Sequence, residues 1–226
     1  MVDRILAGPR PLRIVAAGDP VLRQPAAPYD GELGEDRLRA LLAAMRETLL
    51  ATQGAVGLAA PQVGLPLNVA VMEYPPELAE RVIEQGETPL PFTVLINPSY
   101  RAAGERHTAF FEGCLSVPGW QAVVVRPDRI ELGYEDETGR RIDEERTGLP
   151  ARIAQHETDH LAGTLYLDRA ELRSFSSLEE MANRWKPAGL EAAAKELGFT
   201  LPPDPDPDPD PDPDPDPDPD PDPDEG

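Results

Sequence analysis

Residues 148–161 read GLPARIAQHETDHL, and the spacing of their side chains predicts one helix that carries a metal site. Proline is tolerated in the first turn of a helix, so Pro150 is compatible with a start just before it. Leu149 and Ile153 precede His156 at helical intervals, which puts all three on one face. We therefore expect the histidine face of this helix to be its buried face.

His156, Glu157 and His160 form an H-E-x-x-H pattern within this stretch. Because residues four apart share a helix face, both imidazoles can bind one metal ion, and the glutamate beside them can reach a water molecule there. The chain has three histidines in all, so finding two of them in this pattern favours a metal site over a chance pattern on a solvated helix.

A catalytic metal site usually takes three protein ligands, so a third is needed. Glu180 lies 20 residues after His160, a feasible distance for the third ligand of a thermolysin-like peptidase. A metzincin would need a histidine where this chain has Tyr166. Cys114, the single cysteine, stands in EGCLS (112–116) and offers either a thiolate ligand or a small buried side chain. The residues alone leave both candidates open.

Short runs rich in β-branched and aromatic residues, separated by Pro or Gly, precede this helix along the chain. They predict strands at 67–72, 92–96, 108–111, 122–125 and 130–134, a hairpin turn at 135–141, and further helices at 36–54 and 178–197. Pro187 is expected to break or kink the last helix, because proline lacks a backbone N–H. Together these elements predict an α+β fold, with antiparallel β-sheets packed around a central helix that carries H-E-x-x-H and with further N- and C-terminal helices.

Charge divides the chain into two unlike parts. The 226 residues include 42 Asp plus Glu against 21 Lys plus Arg, for a net charge of −21. From Pro203 to Asp224 the dipeptide Pro-Asp repeats 11 times, and with Glu225 this segment holds 12 acidic residues, so the remainder carries −9. We predict a folded domain at 1–201 and a disordered acidic tail at 202–226, because proline at every second position prevents helix and sheet.

Composition also excludes several classes of protein. The apolar runs are far shorter than the roughly 18 residues that span a bilayer. Arginines interrupt the apolar residues of the N-terminus, unlike the continuous core of a secretory signal. A net negative charge without a long basic cluster argues against a direct nucleic-acid site and against membrane docking. We expect a cytoplasmic protein, whose lone cysteine stays reduced.

Three segments resemble, in order, the signature motifs of the peptide deformylase family. They are GAVGLAAPQ (54–62), EGCLS (112–116) and QHETDH (155–160). GDPVLRQPA (18–26) and HLAGTLYLDR (160–169) also resemble that family, so the likeness covers residues 10–175. The resemblance implies an enzyme acting on a linear amide, which removes the formyl group from the N-terminal formyl-methionine of newly synthesised polypeptides.

The same resemblance implies a metal centre. Cys114, His156 and His160 would hold one divalent ion per chain, typically Fe(II), with Zn, Ni or Co able to replace it. A metal-bound water would attack the formyl carbon, with Glu157 acting as general base and then as general acid.

The resemblance also implies how the substrate is bound. The Gln62 side-chain amide and the Leu115 backbone N–H would stabilise the oxyanion. Val56, Gly57 and Gly113 would bind the peptide through main-chain groups, as a strand added to a sheet edge.

An apolar pocket for methionine is implied around four residues: Leu115, Leu149, Ile153 and His156. Arg152 departs from an all-apolar lining. We expect its aliphatic stem to wall the pocket while its guanidinium reaches water.

Four residues outside these roles carry weaker expectations. Glu112 and Arg126 form either the ion pair that supports the active-site strand in relatives or an exposed pair of little energetic weight. Trp120 is expected to pack in the core rather than to contact substrate, and His107 is expected to be structural or exposed.

Two rival functions remain open, a general metallopeptidase that uses Glu180 and a catalytically inactive metal-binding module. The partners implied by the resemblance are formylmethionyl nascent peptides, with transient ribosome proximity but no basic docking tail. The acidic tail favours a solubilising appendage, and the alternative is that it limits nonspecific RNA binding or engages a basic partner.

Overall fold

The computed structural model describes residues 1–203, and within them eight β-strands form two antiparallel sheets. The strands are β1 (Gly57–Ala59), β2 (Val69–Met72), β3 (Thr93–Ala102), β4 (His107–Cys114), β5 (Val117–Pro127), β6 (Arg129–Glu135), β7 (Arg141–Thr147) and β8 (Ala170–Ser177). The first sheet has the order β1-β2-β3-β6-β7, and the second has the order β4-β5-β8. β1 and β4 are therefore edge strands of different sheets.

Helices precede, separate and follow these strands. The α-helices are α1 (Val2–Leu6), α2 (Gly34–Ala51), α3 (Pro76–Glu84), α4 (Gly148–Leu161), α5 (Leu178–Glu180), α6 (Lys186–Ala188) and α7 (Leu190–Leu197). Short 3₁₀ turns cover Pro20–Arg23, Ala60–Val63 and Tyr166–Asp168.

α4 lies between the two sheets. Its apolar residues pack against β1, β2, β3 and β6 in one buried cluster that includes Ala151, Ile153, Ala154 and Leu161 from the helix and Ala59, Ala70, Leu95 and Leu132 from the strands. On the other side of the helix, Gln155 Nε2 donates to Pro127 O of β5 at 3.0 Å, and Arg152 donates to Val124 O at 3.1 Å. The H-E-x-x-H residues are thus held between the sheets.

The C-terminal end of α4 is fixed by a close backbone approach. Gly163 has a φ of +76°, and a Cβ added there would lie 2.9 Å from backbone carbons of Arg23 and Gln24. Ala26 N donates to Leu161 O at 2.8 Å in the same region. A residue with a side chain at position 163 would push the N-terminal segment away from the helix.

The second sheet buries alternate residues of β5 on opposite faces, as the twofold repeat of a strand requires. Ala122 and Val124 pack in a cluster with Tyr166. Val123 packs in another cluster with Trp185 and Phe199 of the C-terminal region. The sheet therefore separates the metal-site side of the molecule from its C-terminal helices.

The predicted α+β fold is confirmed. Helix α4 has the predicted bounds, the helix predicted at 36–54 is α2, and the five predicted strands are β2, β3, β4, β5 and β6. The turn at 135–141 joins β6 to β7, where Thr138 N and Arg140 N donate to Asp136 Oδ1.

The sequence did not predict α1, α3, β1, β7 or β8. β7 reads RIDEERT and β8 reads AELRSFSS, so both have few of the β-branched and aromatic residues on which the strand prediction relied. β7 is an edge strand of its sheet, where charged side chains can face solvent.

The helix predicted at 178–197 is interrupted, as Pro187 led us to expect. Between α5 and α6, Met181–Trp185 form a π-helical turn in which Lys186 N donates to Met181 O. The wider turn accommodates a residue without an N–H just after it. Helix α6 ends just before Gly189, two residues after Pro187, where φ is 87° and ψ is 168°. The interruption is confirmed, and it falls later than the proline itself.

Most of the acidic tail predicted at 202–226 lies outside the described residues, which end at 203. Among residues 1–203, no helix is both long enough and apolar enough to cross a membrane.

Candidate active site

Three potential metal ligands converge from two elements. Cys114 ends β4, whereas His156 and His160 lie one turn apart on α4. Their ligand atoms all lie within 4.8 Å of one another. The distance between Cys114 Sγ and His160 Nε2 is 3.2 Å. Tetrahedral ligation with ordinary metal–sulfur and metal–nitrogen bonds separates such atoms by about 3.5 Å, so the donor set fits a divalent ion.

A buried ion pair between Glu112 and Arg126 lies next to these potential ligands. Glu112 lies two residues before Cys114, and its Oε2 is 3.1 Å from His156 Nδ1. Arg126 donates from Nε and Nη2 to the two Glu112 oxygens at 2.7 and 3.0 Å. Burial alone would raise the pKa of Glu112, but the hydrogen bonds from His156 and Arg126 lower it well below its usual range. The pair is therefore buried, and of the two alternatives left open by the sequence, the exposed pair is excluded.

Asp159 extends this charged network and was not among the residues that the sequence analysis singled out. It accepts hydrogen bonds from Arg126 Nη1 at 2.8 Å, from Arg169 Nε at 2.8 Å and from Tyr100 Oη at 3.0 Å. Its position inside the H-E-x-x-H string was the one available signal. The network connects α4 to β3 and β5 beside the metal ligands.

Glu157 is buried and lies against the backbone of β1. A Cβ added at Gly57 would lie 2.2 Å from Glu157 Oε1, so the carboxylate occupies the space that any side chain at position 57 would need. Burial raises the pKa of Glu157 to about 7. Its Oε2 is among the buried side-chain atoms of the described chain that have no hydrogen-bond partner. A carboxyl group with such a pKa is suited to proton transfer near neutral pH.

Gln62 lies in the 3₁₀ turn after β1 and is buried. Its Oε1 accepts a hydrogen bond from Ala59 N at 2.8 Å, which orients the side-chain amide. Its Nε2 is then 3.5 Å from Cys114 Sγ. Leu115 follows the cysteine and is partly buried against the main core. Both residues therefore lie next to the converging ligands.

The residues implied to bind substrate occupy two edges and one helix. Val56 precedes β1 and is partly buried, and its carbonyl accepts a hydrogen bond from Glu73 N at 3.1 Å. Gly113 lies on β4 opposite Gln121. Ile153 is buried on α4. Leu149, by contrast, is 43% exposed, so the expectation that it belongs to the buried face was wrong. It lies in the first turn of the helix, where the sheets cover less of it.

Arg152 corrects another expectation, because its guanidinium does not reach water. The residue is 8% exposed. Its Nη2 donates to Thr108 O at 2.7 Å, and its Nη1 donates to Glu112 Oε1 as well as to Val124 O. The charge turns inward because acceptors on β4 and β5 are within its reach.

Trp120 is also placed differently from the prediction. It is 44% exposed and stacks on Phe175, with ring centroids 4.7 Å apart. It is therefore not a core residue. His107 is exposed, as expected. Glu180 is exposed and pairs with Arg184 Nε at 3.3 Å, so it does not join the converging ligands.

Two antiparallel sheets around an H-E-x-x-H helix, with a cysteine, two histidines and a buried glutamate at one point, define a metal-dependent hydrolase. The family model described as polypeptide deformylase matches residues 11–175. The chain belongs to the polypeptide deformylase family.

Curated relatives and solved structures agree with this assignment. Peptide deformylase 3 of Streptomyces avermitilis is 60% identical over 202 residues, covering 89% of this chain and 90% of that protein. Peptide deformylase 1 of Streptomyces coelicolor is 55% identical, covering 89% and 92%. The crystal structure of a peptide deformylase from Synechococcus elongatus in complex with actinonin has a TM-score of 0.60 and 37% identity, covering 86% of this chain and 89% of that chain.

The family assignment carries its reaction to this chain. It is a metal-dependent enzyme that removes the formyl group from new polypeptides. The comparisons favour this reaction over a general metallopeptidase and over an inactive metal-binding module.

Proposed function

We propose that deformylation takes place at Cys114, His156 and His160, which hold one divalent metal ion. In the cell this ion is Fe(II), and Zn, Ni or Co can replace it. The convergence of these three side chains, with all ligand atoms within 4.8 Å of one another, is the observation that carries the proposal. An ion held there supplies Lewis acidity and lowers the pKa of a water molecule toward neutrality.

Glu157 moves the proton in this proposal. It accepts the proton of the attacking water and passes it to the departing amine. Two features of the site support this role, namely burial, which raises the pKa of Glu157 to about 7, and an Oε2 atom that is buried without a partner. One carboxylate then serves both halves of the reaction.

The oxyanion is stabilised by the Gln62 amide and the Leu115 backbone N–H. The hydrogen bond from Ala59 N to Gln62 Oε1 supports this role, because it leaves the Gln62 amide N–H groups to face the site. A donor that is already oriented does not need to reorganise when charge develops.

The formyl-peptide binds between the edges of the two sheets. Val56 and Gly57 at β1 and Gly113 on β4 contribute main-chain groups, since both strands end their sheets and can add a further strand. This mode suits an enzyme that accepts many sequences after the first residue.

The methionine side chain occupies a pocket formed by Leu115, Leu149, Ile153 and His156. The exposed surface of Leu149 supports this assignment, because a bound methionine side chain would cover it. Arg152 lies on the same helix, but its charge is turned toward Glu112.

We further propose that residues 1–201 form the enzyme domain, and that the enzyme works in the cytoplasm on formylmethionyl nascent peptides, in transient proximity to the ribosome. The chain's net charge of −21 supports a route to the nascent peptide in which the enzyme does not bind ribosomal RNA.

The metal content of two variants tests the proposed ligand set. Cys114→Ser should lose most of its bound metal, because a hydroxyl is a far poorer ligand than a thiolate. Glu180→Ala should keep the metal of the wild type, because Glu180 is exposed and paired with Arg184. Elemental analysis of the anaerobically purified proteins gives the result. Retention of metal by Cys114→Ser with loss from Glu180→Ala would replace the proposed set with that of a peptidase.

A further inference from the structure

Arg152 connects the helix that carries the histidines to the sheet that carries the cysteine. It lies one turn before His156 on α4, and its guanidinium bonds to three acceptors on β4 and β5. Besides Glu112 Oε1, they are Thr108 O at 2.7 Å and Val124 O at 3.1 Å. A contact of 3.2 Å to Thr108 Oγ1 adds to these. One side chain thus bonds the helix to two strands.

Through Glu112, Arg152 is connected to His156, one of the proposed metal ligands. Glu112 Oε1 accepts from Arg152 and from Arg126 Nε, and Oε2 accepts from Arg126 Nη2. With both oxygens fixed in this way, Oε2 lies 3.1 Å from His156 Nδ1. A partner on one imidazole nitrogen sets the tautomer and the ring orientation at the other.

Stability alone does not account for an arginine at this position. Replacing a buried ion pair with well-packed apolar residues is often neutral or stabilising, because burying a charge is costly. Burial does lower the pKa of Arg152, although Glu112 opposes the shift. Phe110 covers the guanidinium, with its ring centroid 4.9 Å from Arg152 Cζ. An apolar side chain could occupy this place, but it could not bond to Glu112.

The ligand set depends on the placement of two separate elements. Cys114 moves with β4, and His156 and His160 move with α4. We propose that Arg152 is a positioning residue, which holds β4 against α4 and, through Glu112, orients His156 for metal binding. This inference rests on the ligand set proposed above.

The test measures binding of Co(II) to the metal-free full-length protein under anaerobic conditions. Arg152→Met removes the charge and all donors with little change in length, and Arg152→Lys keeps the charge with fewer donors. Arg46→Met is the matched control, because Arg46 also bonds to a carboxylate and lies over an aromatic ring, but its partners are Glu73 and Phe92 rather than Glu112. Affinity and the thiolate-to-cobalt absorption band are both recorded.

We expect Arg152→Met to bind Co(II) about 10- to 100-fold more weakly, with a changed absorption band, as loss of a partner behind a metal ligand typically causes. Arg152→Lys should recover part of the affinity, and Arg46→Met should match the wild type. Wild-type affinity and spectrum in Arg152→Met would overturn the inference. If Arg152→Met does not fold, Arg152→Lys carries the test, and a wild-type affinity and spectrum in that variant would overturn the inference equally.

The spectrum separates this inference from the proposal on which it rests. If the wild type shows no thiolate-to-cobalt band, Cys114 is not a ligand, and the proposed ligand set fails. If the wild type shows the band, and both the band and the affinity are unchanged in Arg152→Met, the ligand set stands and only the role of Arg152 fails.

Discussion

At the scale of single residues, the need for glycine at position 57 comes from the neighbouring Glu157 carboxylate as well as from substrate binding. The family resemblance implies that Gly57 binds the peptide through its main chain. In the structure, the Glu157 carboxylate already fills the space beside its Cα. A side chain at position 57 would therefore act on the proposed general base before any substrate is bound.

We predict that Gly57→Ala loses most of its turnover while keeping its metal. The added methyl would lie 2.2 Å from Glu157 Oε1, so the carboxylate has to leave its position. Its displacement should lower kcat, whereas the three atoms nearest to the added methyl all belong to Glu157 and none to Cys114, His156 or His160. Steady-state kinetics and elemental analysis on the same preparation check both parts. A variant with wild-type kcat would show that the position of Glu157 does not limit the reaction.

The convergence of Cys114, His156 and His160 could be predicted better than the placement of their neighbours. His156 and His160 are two of only three histidines, so their four-residue spacing carried information, whereas Cys114 was preferred to Glu180 only through its resemblance to a family motif. Arg152, Leu149 and Trp120 were misplaced, because their burial depends on acceptors and neighbours that come from distant parts of the chain. The inward turn of Arg152 follows from Glu112 and Thr108, about 40 residues earlier in the sequence.

At the scale of elements, the C-terminal helices are held to the second sheet by a small apolar cluster. Trp185, Ala193, Ala194 and Phe199 pack with Val123 of β5, on the face opposite the metal-site side. Trp185 is 5% exposed and is the largest side chain of this cluster. Its loss should reduce stability without altering the ligands.

Trp185→Ala is expected to lower the free energy of unfolding by about 3 to 5 kcal/mol, the usual effect of truncating a buried aromatic side chain. Trp120→Ala is the control, because Trp120 is 44% exposed and should cost less than about 1 kcal/mol. Denaturant titration of the two variants gives both values. Equal losses in the two variants would contradict the assignment of Trp185 to a buried cluster.

Elements with a strong local pattern were predicted in type, but only α4 was predicted with its bounds, since α2 was predicted at 36–54 and spans Gly34–Ala51. α4 combines a proline in its first turn with apolar residues at helical intervals, so both its type and its start are local properties. β8 reads AELRSFSS and becomes a strand because β5 lies beside it, which local propensity does not encode.

At the scale of the whole molecule, net charge is the property that the acidic tail changes most. Residues 203–225 carry 12 acidic side chains, more than half of the net charge of −21. A segment of that charge repels polyanions over about one Debye length, and salt weakens the effect.

We predict that deleting residues 202–226 raises the affinity for ribosomes at low salt, because removal of the 12 acidic residues reduces repulsion by RNA phosphates. The difference should disappear at high salt. A variant with Asn in place of every Asp of the repeat keeps the length and tests charge alone. Equal affinity of the full and shortened chains at low salt, measured by sedimentation with ribosomes, would leave the tail without this role.

The most direct test of the proposed active site is formate release from formyl-Met-Ala-Ser by the iron-loaded, anaerobically purified protein, measured beside Glu157→Ala. We predict rapid release by the wild type and nearly none by the variant, with equal metal content in both, because the proposed mechanism has Glu157 move the proton without binding the metal. Substantial release by Glu157→Ala would show that another group moves the proton. Cleavage of internal peptide bonds, or no formate release from folded wild type with its metal, would contradict deformylation at the proposed active site.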